Sequence, residues 1–276
     1  MSTTWNGAPP PASSPIGFVG WCRVALRAVP LVAVVFGGLL LTLLLRLIER
    51  PVWGAARPIT PHITVFVCRA ALRIFGIRLS YEGAPIQGQG AFVANHSSWL
   101  DIFVLNARKR IYFVSKSEVA GWPGIGALAR ATGTVFIERR RAQAGAQAKL
   151  FQHRLTAGHR LLFFPEGTSS DNLRVLPFKS SLFAAFFDAQ LKPLLSVQPI
   201  TVRYTATGQQ DPRFLAWWGD MDFAPHFLKV LAGPAGARVH LIYHKPFRVA
   251  EFKDRKALAA ACEGTVRCGH EAASTA

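Results

Sequence analysis

Apolar and polar positions along the chain fall into three textures. Through about Pro15 the residues are polar and rich in Pro, Ser and Ala. Such a composition buries too little apolar surface to order itself and reads as a disordered leader. From Ala28 to Leu45 there is no charge, a run close to the roughly 18 residues at which a transmembrane candidate is recognised. Arg23 and Arg27 precede it, and Arg46, Glu49 and Arg50 follow it. A signal peptide is the rival reading, but the run exceeds a usual h-region and no small-x-small cleavage site follows closely, so an anchor is preferred. Basic residues flank both ends and give no clear orientation. A membrane-embedded hairpin or a re-entrant insertion also fits. From Ile63 to Leu79 an apolar segment carries Arg69 and Arg73 four apart, on one helical face. Two readings stand side by side: an interfacial helix lying on lipid head groups, or a surface helix packed on the core.

From Gly83 onward the texture changes. Short apolar runs at 90–95, 111–115, 133–137, 160–165, 194–202 and 238–245 have the length and composition of buried strands. Helix-like stretches, such as 141–158 and 180–191, lie between them. This alternation predicts an α/β domain with a mixed, largely parallel sheet flanked by helices. An N-terminal hydrophobic, membrane-anchoring helical segment precedes it. The expected organisation is a leader over 1–16, anchor and interfacial helices over 17–80, and the α/β domain over 81–276.

Charge sharpens the picture. The formal net charge is +17, half of the residues are hydrophobic and only 17% are charged. A balance this basic points to a polyanionic partner, either nucleic acid or an anionic membrane surface. The apolar N-terminal segment favours the membrane, and no nucleic-acid-binding motif is present. Cys22, Cys68, Cys262 and Cys268 show no C-x-x-C spacing, so neither a metal site nor a disulfide framework is expected.

Four blocks carry candidate chemistry. NHSSWLD, Asn95 to Asp101, follows a predicted strand. A histidine with an ordinary pKa of about 6.5 accepts a proton near neutral pH. A nearby carboxylate would fix its tautomer and stabilise the imidazolium. Taken alone, the His96/Asp101 spacing fits a capped helix equally well. FFPEGTSSD, Phe163 to Asp171, describes a tight turn at a sheet edge, where glycine allows close backbone approach and N–H groups can cradle an anion. FIERRR, Phe136 to Arg141, places Arg139 where it could clamp an acidic group, though a solvated basic turn is the plainer reading. VQPITVRY, Val197 to Tyr204, has a proline inside a strand pattern, which suggests an edge or a bulge.

Together, in this order and spacing, the blocks resemble the glycerolipid acyltransferase family, the group that contains the 1-acylglycerol-3-phosphate acyltransferases. The resemblance runs from about Tyr81 to Phe247. It implies an enzyme that moves an acyl chain from acyl-acyl carrier protein or acyl-CoA to the free hydroxyl of a lyso-lipid. By resemblance, His96 is the general base and Asp101 its orienting partner. Arg139, Glu166, Gly167 and Thr168 resemble acceptor-binding positions. Lys116 matches a basic position near the site and is the oxyanion candidate, with a solvated lysine as the alternative. No metal or tightly bound cofactor is implied, and the acceptor hydroxyl attacks the thioester directly.

One departure bears on the acceptor. Phosphate-using members commonly carry a basic residue after the E-G-T triplet, whereas here Ser169, Ser170 and Asp171 follow. A neutral and acidic turn is a poorer phosphate site. The run from Ala216 to Leu231 looks like a segment of bacterial lyso-ornithine lipid acyltransferases. The acceptor is therefore either lyso-ornithine lipid or 1-acyl-sn-glycerol 3-phosphate. The expected location is a bacterial inner membrane with the catalytic domain facing the cytoplasm. Two competitors remain. A thioesterase or lipase would use the same His/Asp pair on water, but no G-x-S-x-G elbow is present. A non-enzymatic basic membrane- or nucleic-acid-binding protein leaves the ordered blocks unexplained.

Overall fold

The computed structural model describes residues 4–11, 14–88, 90–122, 124–137 and 144–275. Its strands are β1 (Ile77–Glu82), β2 (Gly90–Ala94), β3 (Tyr112–Lys116), β4 (Val135–Ile137), β5 (Leu161–Phe163), β6 (Ser196–Thr205), β7 (Ala237–Tyr243) and β8 (Phe247–Arg248). Its α-helices are α1 (Phe18–Trp53), α2 (Thr60–Phe75), α3 (Asp101–Arg108), α4 (Ile125–Thr132), α5 (Ala144–Thr156), α6 (Phe223–Ala232) and α7 (Arg255–Thr275). The strands form one sheet in the order β1-β7-β6-β2-β5-β3-β4, with β8 also paired to β6. β2 runs parallel to both β5 and β6, and β3 runs parallel to β4 and β5. β6 pairs antiparallel with β7 and β8. The sheet is therefore mixed and largely parallel.

Each face of the sheet carries its own apolar core. One joins Phe92 and Ala94 to Phe75, Trp99, Leu100, Val104 and Leu231, under α2, α3 and α6. The other joins Ala91 and Val93 to Phe151, Phe183, Phe186, Leu258 and Val266, under α5 and α7. Alternate residues of β2 thus serve opposite cores, which is why the strand is a continuous apolar run rather than an alternating one. Full burial of each Phe or Leu contributes about 1.5–3 kcal/mol.

The parallel arrangement fixes where chemistry gathers. β6, β2, β5 and β3 are neighbours and end on the same edge of the sheet. Tyr204, His96, Glu166 and Lys116 therefore lie at or just beyond adjacent carboxyl ends, the place where open α/β sheets receive ligands.

At the N-terminus, α1 is, among the described residues, the one helix long and apolar enough to cross a membrane. Much of it is uncovered: Phe18, Leu26, Val29, Leu47 and Ile48 are all strongly exposed. Both of its ends are tied down. Arg27 Nη1 donates to the carbonyls of Leu231 and Gly233 at the end of α6, where a cation complements the helix dipole. Glu49 accepts the N–H groups of Ile59 and Thr60 and the Thr60 hydroxyl, capping the start of α2.

Two expectations need correction. The segment 63–79 is not helical throughout: α2 ends at Phe75, and Ile77–Leu79 already belong to β1. Gly76 makes the break in a left-handed conformation at φ 73°. α2 buries Cys68, Ala71, Leu72 and Phe75, and Arg69 Nε donates to the Ala107 carbonyl, so this helix packs on the domain. The stretch 180–191 is a 3-10 helix over Ser180–Phe187 followed by turns. Phe183 and Phe186 are both fully buried, and their spacing of three suits a helix of about three residues per turn.

Candidate active site

The loop that follows β2 carries the central pair. His96 Nδ1 lies 2.7 Å from Asp101 Oδ2. The Asp101 side chain is fully buried, while His96 keeps 21% of its side chain exposed. The same Oδ2 accepts the backbone N–H groups of Ser97, at 2.9 Å, and Ser98, at 3.2 Å. Asp101 opens α3, so its carboxylate also faces the positive end of a helix. With Nδ1–H directed at the carboxylate, Nε2 is the nitrogen left to accept a proton. The imidazole stacks on Phe164, with centroids 4.0 Å apart and planes at 12°, which fixes the remaining rotation of the ring.

The second loop, after β5, wraps beneath the first. Glu166 is 1% exposed, and its Oε1 accepts the backbone N–H of His96 at 3.2 Å. Burial, with Asp101 nearby, pushes its carboxyl well above the usual range. Gly167 turns the chain at φ 74°, and its N–H donates to the Phe164 carbonyl. Thr168 is partly exposed, and its Oγ1 accepts the N–H of Trp5 at 3.2 Å. Ser170 N–H donates to the His96 carbonyl at 2.8 Å, so the two loops hold each other.

Ser169, Ser170 and Asp171, read from sequence as a neutral and acidic turn, are almost wholly buried. Arg174 arrives one turn later, with Nη2 3.0 Å from Asp171 Oδ2 and its own side chain half exposed. Lys116 ends β3 and lines a largely apolar pocket with Val114, Ser115, Ile137, Phe163 and Phe164. Phe164 thus lines this pocket and also stacks on His96. Arg139 lies outside the described residues.

Several supporting residues escaped the sequence reading. Asn95 behaves like a piece of strand: its Nδ2 donates to the Val202 carbonyl and its Oδ1 accepts the Val202 N–H, both at 2.8 Å. Asn172 does the same for Tyr204, at 2.9 and 3.0 Å. Tyr204 in turn donates its hydroxyl to Asp101 Oδ1 at 2.6 Å. The loop carrying Trp217 and Trp218 is pinned to the histidine loop by Trp217 N–H to the Ser97 carbonyl and Ser98 Oγ to the Leu215 carbonyl. The leader, expected to be disordered, lays Trp5 to Pro9 over this corner. Trp218 Nε1 donates to the Ala8 carbonyl, and Arg213 Nη1 donates to that of Pro9. Asn6 Nδ2 donates to Asp220 Oδ2. Trp5 is the apolar anchor in an otherwise polar segment, its ring 6.4 Å from that of Trp218. A single aromatic residue is a weak signal in sequence.

A half-buried histidine held by a buried carboxylate at the ligand edge of an α/β sheet is an arrangement suited to acyl transfer. The comparisons agree. A family model described as "Acyltransferase" matches residues 78–203. The chain is 53% identical over 265 residues to a lyso-ornithine lipid O-acyltransferase of Rhodobacter capsulatus, covering 96% of each chain. It is 38% identical over 217 residues to a protein of the same name from Brucella abortus, covering 73% of this chain and 79% of that one. The crystal structure of PlsC, a 1-acyl-sn-glycerophosphate acyltransferase from Thermotoga maritima, shares the fold with a TM-score of 0.68 at 21% identity. That match covers 93% of this chain and 98% of that one. The chain belongs to the acyltransferase family.

Proposed function

We propose that the protein is a lyso-lipid O-acyltransferase whose acceptor is lyso-ornithine lipid. The carrying observation is the 2.7 Å contact between His96 Nδ1 and the buried Asp101 carboxylate, with the imidazole the accessible member of the pair. His96 Nε2 takes the proton of the acceptor hydroxyl as that oxygen attacks the carbonyl carbon of an acyl thioester. The imidazolium so formed is stabilised by Asp101. Lys116, at the end of β3 with β5 between it and β2, is assigned to the oxyanion of the tetrahedral intermediate. Collapse breaks the carbon–sulfur bond, and the departing thiolate recovers the proton from His96. The acyl donor is acyl-acyl carrier protein or acyl-CoA.

On the acceptor side we assign Gly167 and Thr168, with Arg139 completing the site and Glu166 holding it from beneath. Identity of 53% to a relative named for the lyso-ornithine lipid reaction supports that acceptor over 1-acyl-sn-glycerol 3-phosphate. The same reading places the enzyme at a bacterial inner membrane, held by α1, with its catalytic face toward the cytoplasm. The net charge of +17 suits an anionic leaflet, to which each basic residue near the surface adds about 1 kcal/mol. The test is a competition assay: purified enzyme in detergent, labelled acyl-acyl carrier protein or acyl-CoA, and both acceptors at equal concentration. Acylation of lyso-ornithine lipid at least tenfold faster is the expected result. Preference for lysophosphatidate would overturn the assignment of the head group, and thioester hydrolysis without transfer would overturn the transferase reading.

A further inference from the structure

The structure joins β6 to the catalytic pair through a residue the mechanism has not used. Tyr204 is 2% exposed, and its hydroxyl donates to Asp101 Oδ1 at 2.6 Å across 103 residues of sequence. The opposite oxygen, Oδ2, is saturated by His96 Nδ1 and the N–H groups of Ser97 and Ser98. Asp101 is thus held at both oxygens, and among the described residues the tyrosine bond is the one that comes from outside its own loop. The position of the tyrosine is itself over-determined. Asn172 brackets the Tyr204 backbone with a donor and an acceptor, and Asn95 does the same two residues earlier at Val202. Asn172 holds this place in the left-handed region at φ 65°, which asparagine tolerates better than most residues.

We propose that Tyr204 is a positioning residue for acyl transfer, acting only through Asp101 to keep its carboxylate aimed at His96. The inference rests on the reading of His96 as the base. Inside the protein a carboxylate must take its stabilisation from fixed donors, because water does not reach it. Removing the hydroxyl leaves Oδ1 buried without that donor. The carboxylate then turns toward another donor, spoiling its line to Nδ1. Tyr204 remains the protonated partner throughout, since burial and the neighbouring Asp101 raise its hydroxyl well above the usual phenol range.

The test is a double-mutant cycle on the full-length enzyme in detergent, read in single-turnover and steady-state assays with radiolabelled donor. Tyr204→Phe is expected to lower kcat about tenfold, with KM for both substrates changed less than twofold. In an Asp101→Ala background the same substitution is expected to change the residual rate less than twofold, because the group it acts through is gone. A role confined to packing would instead give equal losses in both backgrounds. Equal losses, or a Tyr204→Phe enzyme within twofold of wild type, overturn the inference. Should Tyr204→Phe fail to fold, site-specific 2,3,5-trifluorotyrosine at 204 keeps the shape and alters donor strength. A change in kcat of at least threefold with Asp101 present and none with Asp101→Ala supports the inference, and an unchanged rate in both overturns it. His96→Ala separates the two levels. If that enzyme retains full activity, the proposed base and this inference both fall. If it is inactive while Tyr204→Phe is normal, only this inference falls.

Discussion

Replacing Asp101 by asparagine separates two jobs that the carboxylate performs, and the geometry fixes which one survives. Three donors converge on Oδ2, whereas Oδ1 meets a hydroxyl, a group that can accept as well as donate. The asparagine oxygen will therefore take the Oδ2 side, keeping Nδ1–H of His96 and both backbone N–H groups satisfied. Its NH2 will face Tyr204, whose hydroxyl rotates to accept. The histidine tautomer is preserved and only the negative charge is lost. Opposite unit charges about 4 Å apart, at an effective dielectric constant of about 20, attract by about 4 kcal/mol. Because His96 is 21% exposed, solvent screens part of that figure. The expected fall in kcat is therefore about 10²–10³-fold, at about 1.4 kcal/mol per decade. Asp101→Ala removes the charge and the anchor together. It should be at least a further tenfold slower, and it leaves the Ser97 and Ser98 N–H groups without their partner, at about 1–3 kcal/mol each in stability. The assay is steady-state acyl transfer for both variants, with thermal unfolding alongside. Equal activity of the two variants, or Asp101→Asn within threefold of wild type, would refute the reasoning.

Three further outcomes follow from the same contacts. Glu166 is buried with its carboxyl raised, so the folded protein holds a proton that the unfolded chain releases above the ordinary glutamate range. Stability contributed by that group declines as pH rises from about 4.5, and Glu166→Gln should gain in Tm relative to wild type between about pH 5 and 8; a difference independent of pH would contradict this. Asn95→Ala strips the Val202 N–H and carbonyl of both partners in a fully buried position, and should cost about 2–4 kcal/mol by chemical denaturation, with an effect under 1 kcal/mol counting against the clamp. Phe164→Leu keeps the apolar wall but loses the stack on His96, and should lower kcat about threefold to tenfold, as expected for an aromatic contact of about 0.5–1.5 kcal/mol; unchanged kcat would show that the ring is held otherwise.

The central strands were legible as short apolar runs: β2 and β5 are buried throughout and read as continuous ones, whereas β7 alternates, with Arg238 exposed between buried Ala237 and Val239. β1 was not, because Ser80, Tyr81 and Glu82 are exposed and the strand continues directly from a helix with only Gly76 between. The segment Ser180–Phe187 was legible only as helix-like, because apolar residues at i and i+3 suit a 3-10 helix as well as an α-helix. His96 and Asp101 could be read because their partnership is local, within one loop and the first turn of α3. Tyr204, Asn95 and Asn172 act across 103, 107 and 32 residues, and no local pattern marks a side chain whose partner is so remote. The burial of Glu166 was not legible, since its depth is set by how the β5 loop folds beneath the β2 loop.

The measurement that bears most directly on the account is acyl transfer to lyso-ornithine lipid by the wild-type enzyme and by His96→Ala, each shown to unfold at the same temperature. The account expects robust transfer by the wild type and a loss of at least 10³-fold in kcat in the variant, in line with removal of a general base together with its partner's effect. Undiminished transfer by a correctly folded His96→Ala enzyme would contradict it.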